Sequence, residues 1–222
     1  SMEHLTNDDV MAILNRAAEF ENGATPMLDR SYNIANLFFE PSTRTKTSFE
    51  MAERKVGCTV IPFDADFSSA LKGESLYDTI KTLEMIGLDA VVIRDKEEEY
   101  YRQLLEGINL SIINGGDGTG QHPSQSLLDL YTIYKEFGRF EGLNVTIAGD
   151  ITHSRVAKSN AIALERLGVN VNFLCPPEWA GDFEAHHTWN GLIEESDVIM
   201  LLRIQHERHM VSSNFTKVQY HK

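Results

Sequence analysis

Short apolar runs rich in β-branched residues alternate along most of this chain with segments of helical spacing, and that alternation leaves few folds open. Residues 33–39, 58–63, 90–93 and 110–113 read as strands, with helical spacing between them over 45–56, 75–86 and 97–106. A long helix is expected over 124–137, where Leu127, Leu128, Tyr131 and Tyr134 fall on one face. Beyond it come strands at 144–148, 170–174 and 197–202 and a helix at 155–167. Gly57, Gly87, Gly138 and Gly168 stand where the helical patterns stop. An amphipathic helix opens the chain, with Val10, Ile13, Leu14, Ala17 and Phe20 following the cap-like Asn7-Asp8. Strands joined through helices of ten or more residues make βαβ units, which close right-handed into parallel sheets. The expected fold class is therefore α/β, with two parallel-sheet domains joined by the helix at 124–137. The expected domains are 1–125 and 126–222.

Composition narrows the function classes. The chain of 222 residues, 42% hydrophobic and 24% charged, can bury a sizeable core and lacks the signature of disorder. Its net charge of −13 argues against a nucleic-acid partner, although a few converging arginines can still build a local anion site. No apolar run approaches the ~20 residues needed to span a bilayer, so no membrane partner is expected. Cys58 and Cys175 lack CxxC spacing and flank predicted strands, as buried free thiols of a reducing compartment would. A soluble, cytoplasmic protein is expected. The stretch 176–195 has no clean period, and its His186-His187 pair reads as loop surface, with no accompanying metal-ligand pattern.

In open parallel sheets, ligands bind outside the carboxyl ends of the strands. Ser42, Thr43, Arg44 and Thr45 follow the strand ending at Phe39, within FFEPSTRTKTSFE. Arg94 follows Ile93, and the segment NGGDGTGQHPSQ after Ile113 carries His122 and Gln125. Arg155 lies in GDITHSR beyond Ala148, and Arg203 and Gln205 come straight after Leu202. A solvated rim would also be polar, but four arginines at strand ends point to a shared anion site. Ser42 or Thr43 can cap the helix that follows, whose first-turn N–H groups and dipole attract an anion. Arg44 adds a planar fork suited to phosphate or carboxylate. Neither GxxxxGK[ST] nor GxGxxG is present, which removes the usual nucleotide and dinucleotide readings. Ser68 and Lys72 sit in the polar loop SSALKGES, from which Lys72 can reach an anion in its own or another subunit.

Together these segments resemble the aspartate branch of the aspartate/ornithine carbamoyltransferase family. FFEPSTRTKTSFE is similar to the family's phosphate-binding segment, KGESLYDTIKTLE to its mobile loop and GDGTGQHPSQSLLDLYTI to its carbamoyl-binding segment. GDITHSRVAKSN and LLRIQHERH resemble its aspartate-side motifs, and all five occur in the family's order. The resemblance implies transfer of the carbamoyl group of carbamoyl phosphate to the amine of L-aspartate, in de novo pyrimidine biosynthesis. It assigns Ser42, Thr43, Arg44 and Thr45 to the phosphate, with Thr45 also near the carbamoyl oxygen. Arg94 and His122 would polarise that carbonyl, and Gln125 would hold the carbamoyl nitrogen. Arg155 and Arg203, assisted by Gln205, would bind the aspartate carboxylates. Ser68 and Lys72 would enter a neighbouring subunit's site and meet its carbamoyl phosphate, with Lys72 also catalytic and in reach of the aspartate, because the family works as a catalytic homotrimer; whether regulatory subunits attach is left open. The resemblance implies neither a metal nor a cofactor. By it, 1–125 is the carbamoyl phosphate domain and 126–222 the aspartate domain.

The chain departs from the family in places. Asp95 stands where histidine is usual and Gly115 where alanine is usual, and 176–195 is shorter than its counterpart. The later HPxPxR segment and closing helices are not in this sequence, so the aspartate half is expected to be incomplete here. Two other readings compete. An ornithine carbamoyltransferase shares STRT and HPxQ, but Arg203, Gln205, Glu207 and Arg208 favour a dicarboxylate acceptor. A non-catalytic relative would keep the anion site, against which the intact Lys72, His122, Arg155 and Arg203 count.

Overall fold

Two parallel sheets carry the fold, as the alternation of elements requires. The computed structural model describes residues 1–26, 28–64, 73–118 and 120–203. The first sheet contains β1 (Asn33–Phe38), β2 (Thr59–Ile61), β3 (Ala90–Asp95) and β4 (Ser111–Asp117), in the order β2-β1-β3-β4. The second contains β5 (Asn144–Ala148), β6 (Asn170–Leu174) and β7 (Val198–Leu201), in the order β6-β5-β7. Every pairing is parallel. Around the sheets run α1 (Asn7–Glu21), α2 (Thr43–Lys55), α3 (Leu76–Ile86), α4 (Pro123–Phe137), α5 (Arg155–Arg166) and the single turn α6 (Leu192–Glu195).

Each sheet reverses its winding once. From β1 the chain goes to β2 on one side and then crosses to β3 on the other; from β5 it goes to β6 and then to β7. The carboxyl ends of neighbouring strands at such a reversal leave a crevice, because their outgoing connections diverge. Phe38 beside Arg94 and Ala148 beside Leu201 mark the two crevices.

Ala35, Leu37, Ile80, Val91, Ile93, Tyr100 and Leu104 form the core of the first sheet. Val145, Ile147, Leu164 and Phe173 build the second core together with Leu130 and Ile133 of α4. Met2, Val10 and Leu14 also belong to this second cluster, so α1, first in the chain, packs through α4 onto the later sheet. Full burial of each such aliphatic side chain contributes about 1.5–3 kcal/mol. The capping box of Thr6 and Asp9 starts α1, Ser75 accepts from the Asp78 N–H at the start of α3, and Gly87 closes α3 in the left-handed region.

Several boundaries differ from expectation. The helix expected over 97–106 is only a 3-10 turn, Tyr100–Leu104. The backbone N–H groups of Glu97 and Glu99 donate to the carboxylates of Asp95 and Asp117, and Glu99 adopts φ 54°. Those bonds hold the acidic run away from a helix, while Tyr100 donates its hydroxyl to the Ile93 carbonyl at 2.8 Å. Strand β4 runs to Asp117 instead of stopping at Ile113, because pairing with β3 continues through Asp95 and Asp117 past a register shift. β2 is shorter than expected, and Cys58 just before it is only partly buried, whereas Cys175 is buried. In 176–195 the chain forms a 3-10 turn, Pro177–Trp179, and α6. His186 bridges to Leu174, and the His187 ring lies 2.7 Å from the Cys175 carbonyl. No cluster suited to a metal and no membrane-spanning helix occurs among the described residues.

Candidate active site

Both crevices open into one cleft of about 1020 Å³. Ser42, Arg44 and Thr45 enter it from the start of α2, Arg94 from the end of β3, and His122 and Gln125 from the start of α4. Arg155 comes from the start of α5, and Arg203 from just beyond β7. Eight residues picked out by position at strand ends therefore share one space. Thr43, the first residue of α2, is exposed and does not line the cleft. Ser68, Lys72 and Gln205 lie outside the described residues.

Helix ends add to what the cleft offers an anion. α1, α3 and α5 begin with a side-chain cap, whereas α2 and α4 begin without one. Ser42 holds the N-cap position of α2 without capping it; its hydroxyl donates to Thr45 Oγ1 at 3.0 Å. The first-turn N–H groups of α2 and α4 thus keep donors that an anion in the cleft can use. The expected cap by Ser42 or Thr43 is absent.

The centre of the cleft is a carboxylate that sequence reasoning missed. Glu40 Oε2 accepts from Arg94 at 2.8 Å (Nη2) and 3.0 Å (Nε), and from Arg155 Nη2 at 2.9 Å. Guanidiniums from β3 of the first sheet and from α5 beside the second therefore meet on one carboxylate, which offsets their mutual repulsion and sets their planes. The side chain of Arg155 is only 8% exposed, and its Nη1 is buried without a hydrogen-bond partner. A buried charged donor left unpaired is costly unless a ligand supplies the acceptor. Glu40 was legible in principle, since it follows a strand end just as the arginines do.

Gly116, also missed, makes this convergence fit. Its φ of +126° is open to glycine and costly for other residues, and a Cβ there would lie 3.0 Å from Arg155 Nη1 and 3.2 Å from Arg94 Nη1. Both guanidiniums pack where a side chain would otherwise stand.

His122 is 8% exposed, and its backbone N–H donates to Ser159 Oγ of α5 at 3.1 Å. Burial, then the charges of Arg94 and Arg155, push its imidazole down to about 4, against a weaker opposing effect of Glu40. It is neutral at pH 7. Arg94 Nη1 lies 3.4 Å from His122 Nε2, and a guanidinium can only donate, so this contact puts the ring proton on Nδ1, facing Ser124 Oγ at 3.3 Å.

The family profile for the carbamoyl-P binding domain of aspartate/ornithine carbamoyltransferases matches residues 1–135. The chain belongs to the aspartate/ornithine carbamoyltransferase family. Within that family it is similar to the aspartate carbamoyltransferase catalytic subunit of Streptococcus sanguinis, with 55% identity over all of this chain and 75% of that protein. The corresponding subunit of Streptococcus gordonii is 54% identical over all of this chain and 74% of its own length. Solved structures agree. The catalytic subunit of M. jannaschii aspartate transcarbamoylase superposes with a TM-score of 0.83 at 33% identity, covering 100% of this chain and 76% of that one. Aspartate transcarbamoylase of Trypanosoma cruzi in complex with N-(phosphonacetyl)-L-aspartic acid gives 0.82 at 29% identity, covering 94% and 74%. This family member thus has two parallel sheets meeting at a basic cleft, and it corresponds to about three quarters of its relatives' length.

Proposed function

We propose that the protein transfers the carbamoyl group of carbamoyl phosphate to the amine of L-aspartate, giving N-carbamoyl-L-aspartate and phosphate. The observation that carries this reading is the meeting of Arg94, at the end of β3, with Arg155, at the start of α5, in a cleft that Arg44 and Arg203 also line. Such a cleft suits two anionic substrates held side by side. Ser42, Arg44 and Thr45 bind the phosphate with their side chains, and Thr43, whose side chain stays outside the cleft, adds only its first-turn backbone N–H; Thr45, Arg94 and His122 face the carbamoyl oxygen; Gln125 takes the carbamoyl nitrogen. Arg155 and Arg203, with Gln205, bind the aspartate carboxylates. Ser68 and Lys72 complete the site of a neighbouring subunit in a homotrimer. Residues 1–125 thus serve carbamoyl phosphate and 126–222 serve aspartate, in a cytoplasmic enzyme of pyrimidine biosynthesis.

The amine nitrogen attacks the carbonyl carbon, forming the C–N bond and a tetrahedral oxyanion. Collapse breaks the C–O bond to phosphate, and the leaving phosphate accepts the amine proton. Holding both substrates in register supplies orientation, and donors placed where negative charge grows lower the barrier. A neutral His122 can serve as such a donor once its proton sits on Nε2. No covalent nucleophile is required. Steady-state assay of the full-length protein should give carbamoyl-aspartate readily and carbamoyl-ornithine (citrulline) slowly or not at all. Faster turnover with ornithine would overturn the acceptor assignment.

A further inference from the structure

Gln125 can hold a carbamoyl nitrogen only with one end of its amide. The –NH2 of a carbamoyl group donates, so it needs Oε1; the Nε2 end would repel it. Free rotation about the last torsion would present either end, and something must choose. Asp129 lies one turn further along α4 and also lines the cleft. Its Oδ1 accepts from Gln125 Nε2 at 3.0 Å, while its Oδ2 accepts from Asn160 Nδ2 of α5 at 2.8 Å. A carboxylate is an acceptor only, so it binds the nitrogen end and turns Oε1 the other way. Asn160 is 1% exposed, so the carboxylate is anchored on a buried amide and cannot swing aside. Burial raises the Asp129 carboxyl, and the donors of Asn160 and Gln125 oppose that shift by favouring its ionised form.

The geometry points to Asp129 as a positioning residue that fixes the amide orientation of Gln125 and so selects –NH2 over –CH3 in the acyl phosphate. This rests on the assignment of Gln125 to the carbamoyl nitrogen. A site whose Oε1 awaits a donor leaves that oxygen unpaired when a methyl group arrives, which is how such sites reject near-isosteres. A simple helix-surface pair at i, i+4 would steady α4 and have no effect on this choice.

Acetyl phosphate, with a methyl group in place of the amine, is the probe. The test compares the KM for carbamoyl phosphate with the inhibition constant of acetyl phosphate in the full-length protein. Wild type, Gln125→Ala, Asp129→Asn, Asn160→Ala and the Gln125→Ala/Asp129→Asn pair are measured. Asp129→Asn lets Gln125 present either end, so discrimination should fall about ten-fold, with acetyl phosphate inhibiting as well as before. Asn160→Ala, which only loosens the anchor, should shift it the same way by less. In the Gln125→Ala background Asp129→Asn should have no further effect on discrimination. Discrimination lost in Gln125→Ala but kept in Asp129→Asn would overturn this inference while leaving Gln125 in its role. Should Asp129→Asn not fold, unchanged discrimination in Asn160→Ala would overturn it instead. Full discrimination in Gln125→Ala would remove both the inference and the carbamoyl assignment beneath it.

Discussion

His122 shows how much a single side chain owes to its surroundings. The sequence HPSQ places an imidazole at a helix start, but its protonation is set by burial and by two guanidiniums from distant segments. An ordinary histidine of pKa 6.5 would be partly charged near neutrality; this one holds out to about 4. The sign of the linkage follows. Below pH 6.5 the unfolded chain takes up a proton at His122 that the folded state refuses, so stability falls as pH drops from 6.5 toward 4. NMR titration of the full-length protein, with the ring assigned by comparison with His122→Asn, should show no protonation of this imidazole near neutral pH. A midpoint near 6.5 would contradict the buried, guanidinium-flanked environment. Glu40 teaches the complementary lesson. Within FFEPSTRT it stands between the strand and the hydroxyl cluster, and nothing local says that Arg94 and Arg155 will both come to it.

At the scale of elements, β4 decides the geometry. Apolar periodicity ends at Ile113, and two glycines follow, a poor strand signal that read as the start of a loop. Pairing with β3 carries the strand on to Asp117 and brings Gly116 beneath both guanidiniums. Gly116→Ala should therefore cost about 1–3 kcal/mol in backbone strain and push Arg94 and Arg155 off Glu40. Thermal unfolding should report the first effect, and a raised KM for both substrates the second. An unchanged melting point with unchanged KM values would show that the close approach is not needed. The order and type of the strands were legible, because parallel strands buried on both faces are written as continuous apolar runs. The acidic stretch from Glu97 was not: its helical spacing was real, but Asp95 and Asp117 take its backbone donors first.

On the scale of the whole molecule, two winding reversals bring two strand-end crevices into one cleft. Positions at strand ends were readable from the apolar pattern alone, and eight of the residues so chosen line that cleft. What the pattern could not carry was the relation between the sheets. The packing of α1 onto the later core through α4 and the meeting of Arg94 with Arg155 depend on contacts between segments far apart in the chain. If one cleft serves both substrates, a single molecule carrying a phosphonate and an aspartate should depend on arginines from both sheets. Calorimetry of N-(phosphonacetyl)-L-aspartate binding to the full-length protein tests this directly. Arg44→Ala at the first sheet and Arg155→Ala at the second should each weaken binding by roughly ten- to a hundred-fold, the loss expected for a charge-assisted bond. Wild-type affinity in either variant would mean that the two crevices do not form one site.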